Sequence, residues 1–70
     1  MKSFQGDKLK QARNQKEWTI SDLHYYLVDF GIRISIQSLR NWERGKAIPS
    51  SNYLAALKAV LGKEWDYFFG

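Results

Sequence analysis

The chain has 70 residues, 44% of them apolar, with three Trp, four Tyr, four Phe and no Cys. A length this short makes one domain, residues 1–70, and buries only about 60% of its extended surface, so large side chains have to supply the core. Without cysteine there is no disulfide framework and no Cys-based metal site. The apolar runs fall far short of the roughly 20 residues that span a bilayer, and residues 1–6 are too short and polar for a signal peptide. The expectation is a soluble, cytoplasmic protein with no membrane association, no metal and no cofactor.

The net charge of +4 is unevenly spread. Residues 1–16 hold Lys2, Lys8, Lys10, Arg13 and Lys16 against Asp7, a sum of +4. Residues 17–32 hold Glu17, Asp22 and Asp29, a sum of −3. Residues 33–46 hold Arg33, Arg40, Arg44 and Lys46 against Glu43, a sum of +3, and residues 47–70 balance to zero. Two basic blocks around an acidic one suit a polyanion partner; the plainer alternative is that the charges only solvate helix surfaces.

The spacing predicts an all-α chain, a compact bundle of about five short helices. The first runs from Phe4 or Gly6 to Lys16, with Phe4, Leu9 and Ala12 inward, and Trp18 closes over its end. Thr19-Ile20-Ser21-Asp22 reads as a capping box, a hydroxyl followed three residues later by an acid. It opens a second helix whose apolar stripe is Leu23, Tyr26, Leu27 and Phe30, stopped by Gly31. Of Tyr25 and Tyr26, one is expected in the core and one half-exposed. Ile32-Arg33-Ile34 is β-branched and reads as extended.

Ser35 caps a third helix from Ile36 to about Arg44, ended by Gly45, with Leu39 and Trp42 facing the core. Pro49-Ser50-Ser51 is a stiff turn and a further N-cap. The fourth helix carries Leu54, Leu57 and Leu61 on one stripe with Tyr53 and Val60 beside it, and Gly62 ends it. Trp65, Phe68 and Phe69 supply a last apolar turn, read as core, with part of the aromatic tail as a dimer surface in a sharper reading.

The third helix carries the chemistry. A helix that reads base edges needs short or amide side chains at its N-terminal end. Gln and Asn match the adenine edge, and Arg matches guanine with two bonds. Ser35 and the free N–H groups of a helix start suit a phosphate oxygen, and Arg44 and Lys46 at the far end suit phosphates that set register. His24 stands alone, with no Cys or second His, and reads as structural or surface. Ser35 and Ser38 have no His-Asp arrangement, and the carboxylates are scattered, so no enzymatic constellation is present.

Ser35, Leu39 and Trp42-Glu43-Arg44-Gly45-Lys46-Ala47-Ile48-Pro49-Ser50 resemble the lambda-repressor-like helix-turn-helix family, the Cro and XRE-type regulators of bacteria and phages. Leu9 to Arg13 and Trp18 to Leu23 fall where that family has its first helix and the start of its second, and Leu54, Leu57, Leu61, Trp65 and Phe68 fall on its last two. The resemblance implies base contacts from Ile36, Gln37, Ser38, Arg40 and Asn41. It implies phosphate contacts near Thr19, Ile20, Ser35, Arg44 and Lys46, and a largely buried structural pair between Arg13 and Glu43. The partner implied is double-stranded DNA, a palindromic operator read by a homodimer, with repression favoured over activation.

Two departures bear on that reading. The joint between the second and third helices holds about five extra residues, which implies a longer helix 2 or a loop and leaves the tilt of the reading helix open; Arg33 in this segment adds a phosphate candidate. Ile20 stands where the family commonly has Gln, and Ile36 is apolar too, so the two are expected either to pack together or to leave Ile36 to a thymine methyl. The alternative function is an antitoxin-type or protein–protein adaptor module with a protein partner.

Overall fold

The computed structural model describes residues 3–69; Lys2, counted in the first basic block, lies outside them. Four α-helices follow in order, α1 (Gly6–Gln15), α2 (Ile20–Phe30), α3 (Ile36–Glu43) and α4 (Ser51–Leu61), and a single 3-10 turn, Trp65–Phe68, takes the place of the fifth helix. Helix α1 packs on α3, α2 packs on both α3 and α4, and the 3-10 turn closes against α1.

Local chemistry sets most of the boundaries. Thr19 Oγ1 accepts from the Asp22 N–H at 3.1 Å while the Asp22 carboxylate accepts from the Thr19 N–H at 2.9 Å, so the capping box opens α2 with two orphan donors satisfied. Gly31 adopts φ +107° and closes α2, its N–H and that of Ile32 donating to the carbonyls of Val28 and Leu27. The fourth helix lacks the expected hydroxyl cap: Ser50 is the N-cap, but its side chain bonds no backbone N–H. Helix α1 has no side-chain cap either. Its start is held instead by the far end of the chain, where the Gln5 N–H donates to the Phe68 carbonyl at 2.7 Å.

Leu9, Leu23, Leu27, Leu39, Leu57 and Phe68 are fully buried, with Ala12, Trp42, Leu54, Ala56 and Leu61 completing the core. Each full-size side chain of this kind contributes roughly 1.5–3 kcal/mol, which is how so short a chain closes. Phe4 precedes α1 rather than lying in it, and it packs inward by stacking on Phe68 at 6.1 Å.

Three aromatics break the expected pattern. Tyr26 and Phe30, assigned to the inward stripe of α2, are 41% and 55% exposed, and Tyr25 is exposed as well, so neither tyrosine is a core residue. Leu23 and Leu27 are the residues of α2 that bury fully, with Ile20 packed at the edge of the core. Tyr26 instead stacks on Trp18, with ring centroids 4.3 Å apart, beside the helix start. In the aromatic tail Phe68 is core, Tyr67 and Phe69 are half-buried, and Trp65 is exposed.

Candidate nucleic-acid interface

Helix α3 presents a polar outer face because two of its residues are fixed from behind. Leu39 and Trp42, three positions apart, are buried in the core. This turns Gln37 and Arg40 to solvent and leaves Ile36, Ser38 and Asn41 half-buried at its margins. Eight residues at about 1.5 Å each give a helix roughly 12 Å long, close to the width of a B-DNA major groove. The Gln37 side-chain amide donates to Asn41 Oδ1 at 3.1 Å, one helical turn away. That bond leaves the Gln37 carbonyl oxygen free to accept and the Asn41 amide free to donate, a combination that matches the adenine edge.

The helix start is also built. Ser35 Oγ accepts from the Ser38 N–H at 3.1 Å and donates to Ser38 Oγ, also at 3.1 Å. The Ser35 hydroxyl is thus committed to the cap, and what it leaves for a phosphate is the partial positive charge of the helix end. Thr19 is committed in part: its N–H is held by Asp22 and its hydroxyl oxygen accepts from the Asp22 N–H, which leaves its hydroxyl proton to donate. At the other end of α3, Gly45 turns the chain with φ +77° and the Lys46 N–H donates to the Asn41 carbonyl at 2.8 Å. Arg44, Lys46 and Arg33 are all exposed.

Between α1, the start of α2 and α3 lies a depression of about 290 Å³ walled by Lys10, Arg13, Ile20, Arg40, Glu43 and Arg44. Arg13 does not contribute free charge to it. Its Nε and Nη2 donate to the two Glu43 carboxylate oxygens at 2.8 and 3.1 Å, and its Nη1 donates to the Trp18 carbonyl at 2.7 Å. The pair is largely buried, with side chains 12% and 9% exposed. It ties α1 to the last turn of α3 and neutralises itself, so Lys10, Arg40 and Arg44 remain as the net cations of the depression. Ile20 packs at the edge of the core and faces this hollow; Ile36 is not among its walls.

Lys10 was not singled out in the sequence. The signal for it was there: it lies three residues before Arg13, on the same face of α1. The long joint resolves into both of the expected forms, an α2 that continues to Phe30 and a non-helical segment over residues 31–35. The described residues hold no helix long and apolar enough to cross a membrane.

A search of curated proteins and a search of solved structures each gave no match. The family model described as Helix-turn-helix matches residues 9–68, most of the chain, from within α1 through α4 to the 3-10 turn. With a capped, exposed polar helix anchored by Leu39 and Trp42 and flanked by cations, the chain belongs to the Cro/C1/XRE-type helix-turn-helix family of DNA-binding regulators.

Proposed function

We propose that the protein is a sequence-specific transcriptional regulator, a repressor acting in the cytoplasm of a bacterium or on behalf of a phage, which binds a palindromic operator as a homodimer. The observation that carries this reading is the outward face of α3, where Gln37, Ser38, Arg40 and Asn41 stand together while Leu39 and Trp42 hold the helix from behind. Gln37, Arg40 and Asn41 read bases, and Ile36 meets a thymine methyl. Thr19 offers its hydroxyl proton and Ile20 and Ser35 the dipoles of their helix starts to phosphates, and Lys10, Arg33, Arg44 and Lys46 supply charge. We treat residues 1–70 as one such module, and we assign no catalytic step to it. Repression follows from occupancy: a bound dimer excludes polymerase.

Each cation that neutralises a phosphate contributes about −0.9 to the slope of log affinity against log salt. Lys10, Arg33, Arg44 and Lys46 therefore give a slope of roughly −3.6 for one module and about −7 for a dimer. The test is selection from a random duplex pool at two salt concentrations. A palindromic motif with the steeper slope supports the reading. Salt-sensitive retention with no motif reduces the chain to a nonspecific DNA binder, and no retention at low salt removes the DNA reading.

One observation favours a second reading, the antitoxin-type or adaptor module. Tyr25 and Val28 on one side of α2 and Tyr26 and Phe30 on another are all exposed, which gives the helix an apolar outer surface in the acidic part of the chain. Such a surface suits a protein partner, and a neighbour-encoded protein that co-purifies with the chain is its test.

A further inference from the structure

The segment that links α2 to α3 is longer than the family resemblance implies, and its outer side is open: a groove of about 460 Å³ runs along Val28, Gly31, Ile32, Arg33 and Ile34. What holds it comes from α2 and α4. Two consecutive backbone carbonyls each meet a side chain from a different helix, one closely and one at the outer limit of a hydrogen bond. Tyr53, on α4, donates its hydroxyl to the Arg33 carbonyl at 3.4 Å. His24, on α2, lies with Nε2 2.7 Å from the Ile34 carbonyl. A carbonyl oxygen only accepts, so the His24 ring carries a proton on Nε2 and donates it. Ile34 is the residue immediately before Ser35, the N-cap of α3.

We propose that His24, seconded by Tyr53, is a positioning residue that sets the orientation of the reading helix. The inference rests on the reading that α3 contacts bases. Leu39 and Trp42 decide where α3 sits, but apolar burial is non-directional and tolerates rotation of the helix about its contacts. A short hydrogen bond to the carbonyl preceding the cap is directional. It fixes the end of the helix that carries Gln37 and Ser38. Holding that end before DNA arrives avoids the ordering cost that a loose joint would impose on each binding event. The cost of losing the grip falls on base reading, which requires aligned side chains. It does not fall on phosphate attraction, which tolerates misalignment.

The test uses the full chain, a duplex carrying its selected motif and an unrelated duplex at the same salt. A hydrogen bond of this kind is worth about 0.5–1.5 kcal/mol to the fold; with that loss falling on base reading, His24→Ala is expected to lower the ratio of the two affinities about two- to twelvefold. Nonspecific binding should stay within about twofold and the helical circular dichroism unchanged. His24→Gln, whose amide nitrogen occupies the Nε2 position, restores most of the ratio. Tyr53→Phe, which removes the longer bond, costs about twofold. Should His24→Ala melt the fold, His24→Asn serves in its place, because its amide reaches only the Nδ1 position.

Nitrogen NMR of the wild-type ring is expected to find the proton on Nε2. A proton found on Nδ1 alone overturns the proposal, as does an undiminished ratio in His24→Ala or an equal loss in His24→Gln. A wild-type chain that prefers no duplex defeats the base-reading function and the clamp's role with it; a preference that survives the broken clamp defeats the clamp alone.

Discussion

Gly6→Ala sets two effects of opposite sign against each other. Gly6 is the first residue of α1 and is buried. On helix propensity alone, alanine gains up to about 1 kcal/mol over glycine. Yet a Cβ at this position would fall on the carbonyl oxygen of Trp42 and 2.8 Å from that of Glu43. Both are backbone atoms of the last turn of α3, so no rotamer change relieves the clash. The Trp42 carbonyl also accepts from the Gly45 N–H at 3.1 Å, which ties it to the turn that ends the helix. Relief requires α1 and α3 to separate, and overpacking of this kind costs about 1–3 kcal/mol or more. The steric term wins, and the net loss is expected to be about 2 kcal/mol, which lowers the melting temperature of a domain this size by roughly 10 °C. Urea unfolding followed by tryptophan fluorescence, with a thermal melt beside it, measures the change. A variant as stable as the parent, or more so, would refute the close backbone approach of α1 to α3.

Breaking the Arg13–Glu43 pair exposes its worth: with side chains 12% and 9% exposed, loss of either partner is expected to cost about 3–5 kcal/mol. A double-mutant cycle with Arg13→Ala and Glu43→Ala should return a large coupling, and additive losses would contradict the pairing. The Tyr67 hydroxyl is buried with no hydrogen-bond partner among the described residues, so Tyr67→Phe removes an unsatisfied group and is expected to raise stability by about 1 kcal/mol, read from the same urea curves; a loss of that size would mean the hydroxyl has a partner. Gln37→Ala and Lys46→Ala separate reading from register. The first should cost about 1–3 kcal/mol on the preferred duplex and relax one base position, whereas the second should weaken all duplexes alike and lower the salt slope by about one. Anisotropy titrations at several salt concentrations check both.

What could be read from the sequence was local chemistry. The capping box at Thr19 and Asp22 and the stops at Gly31 and Gly62 depend on residues within a few positions of one another, and all four positions behave accordingly. The stripe of α2 was overread for a physical reason. Helical spacing identifies residues that share a face, but not how much of that face the neighbouring helices cover, so Tyr26 and Phe30 share the spacing of Leu23 and Leu27 without their burial. Gly6 carried no signal, since its demand comes from carbonyls more than thirty residues away. In the candidate interface, the run from Ser35 to Lys46 announced a polar helix with two buried anchors. The grip of His24 on Ile34 and of Tyr53 on Arg33 spans ten and twenty residues, and no periodicity encodes such a bond.

The most direct test of the central claim, that α3 reads base edges in the major groove, is binding to the preferred duplex after its purines are replaced by 7-deazapurines. That change deletes the N7 acceptor from the major-groove edge and leaves the minor groove and phosphates as they were. The account predicts a loss of about tenfold or more in affinity at the positions read by Gln37, Arg40 or Asn41, with binding to an unrelated duplex unchanged. Equal affinity for the natural and the substituted duplex would contradict it.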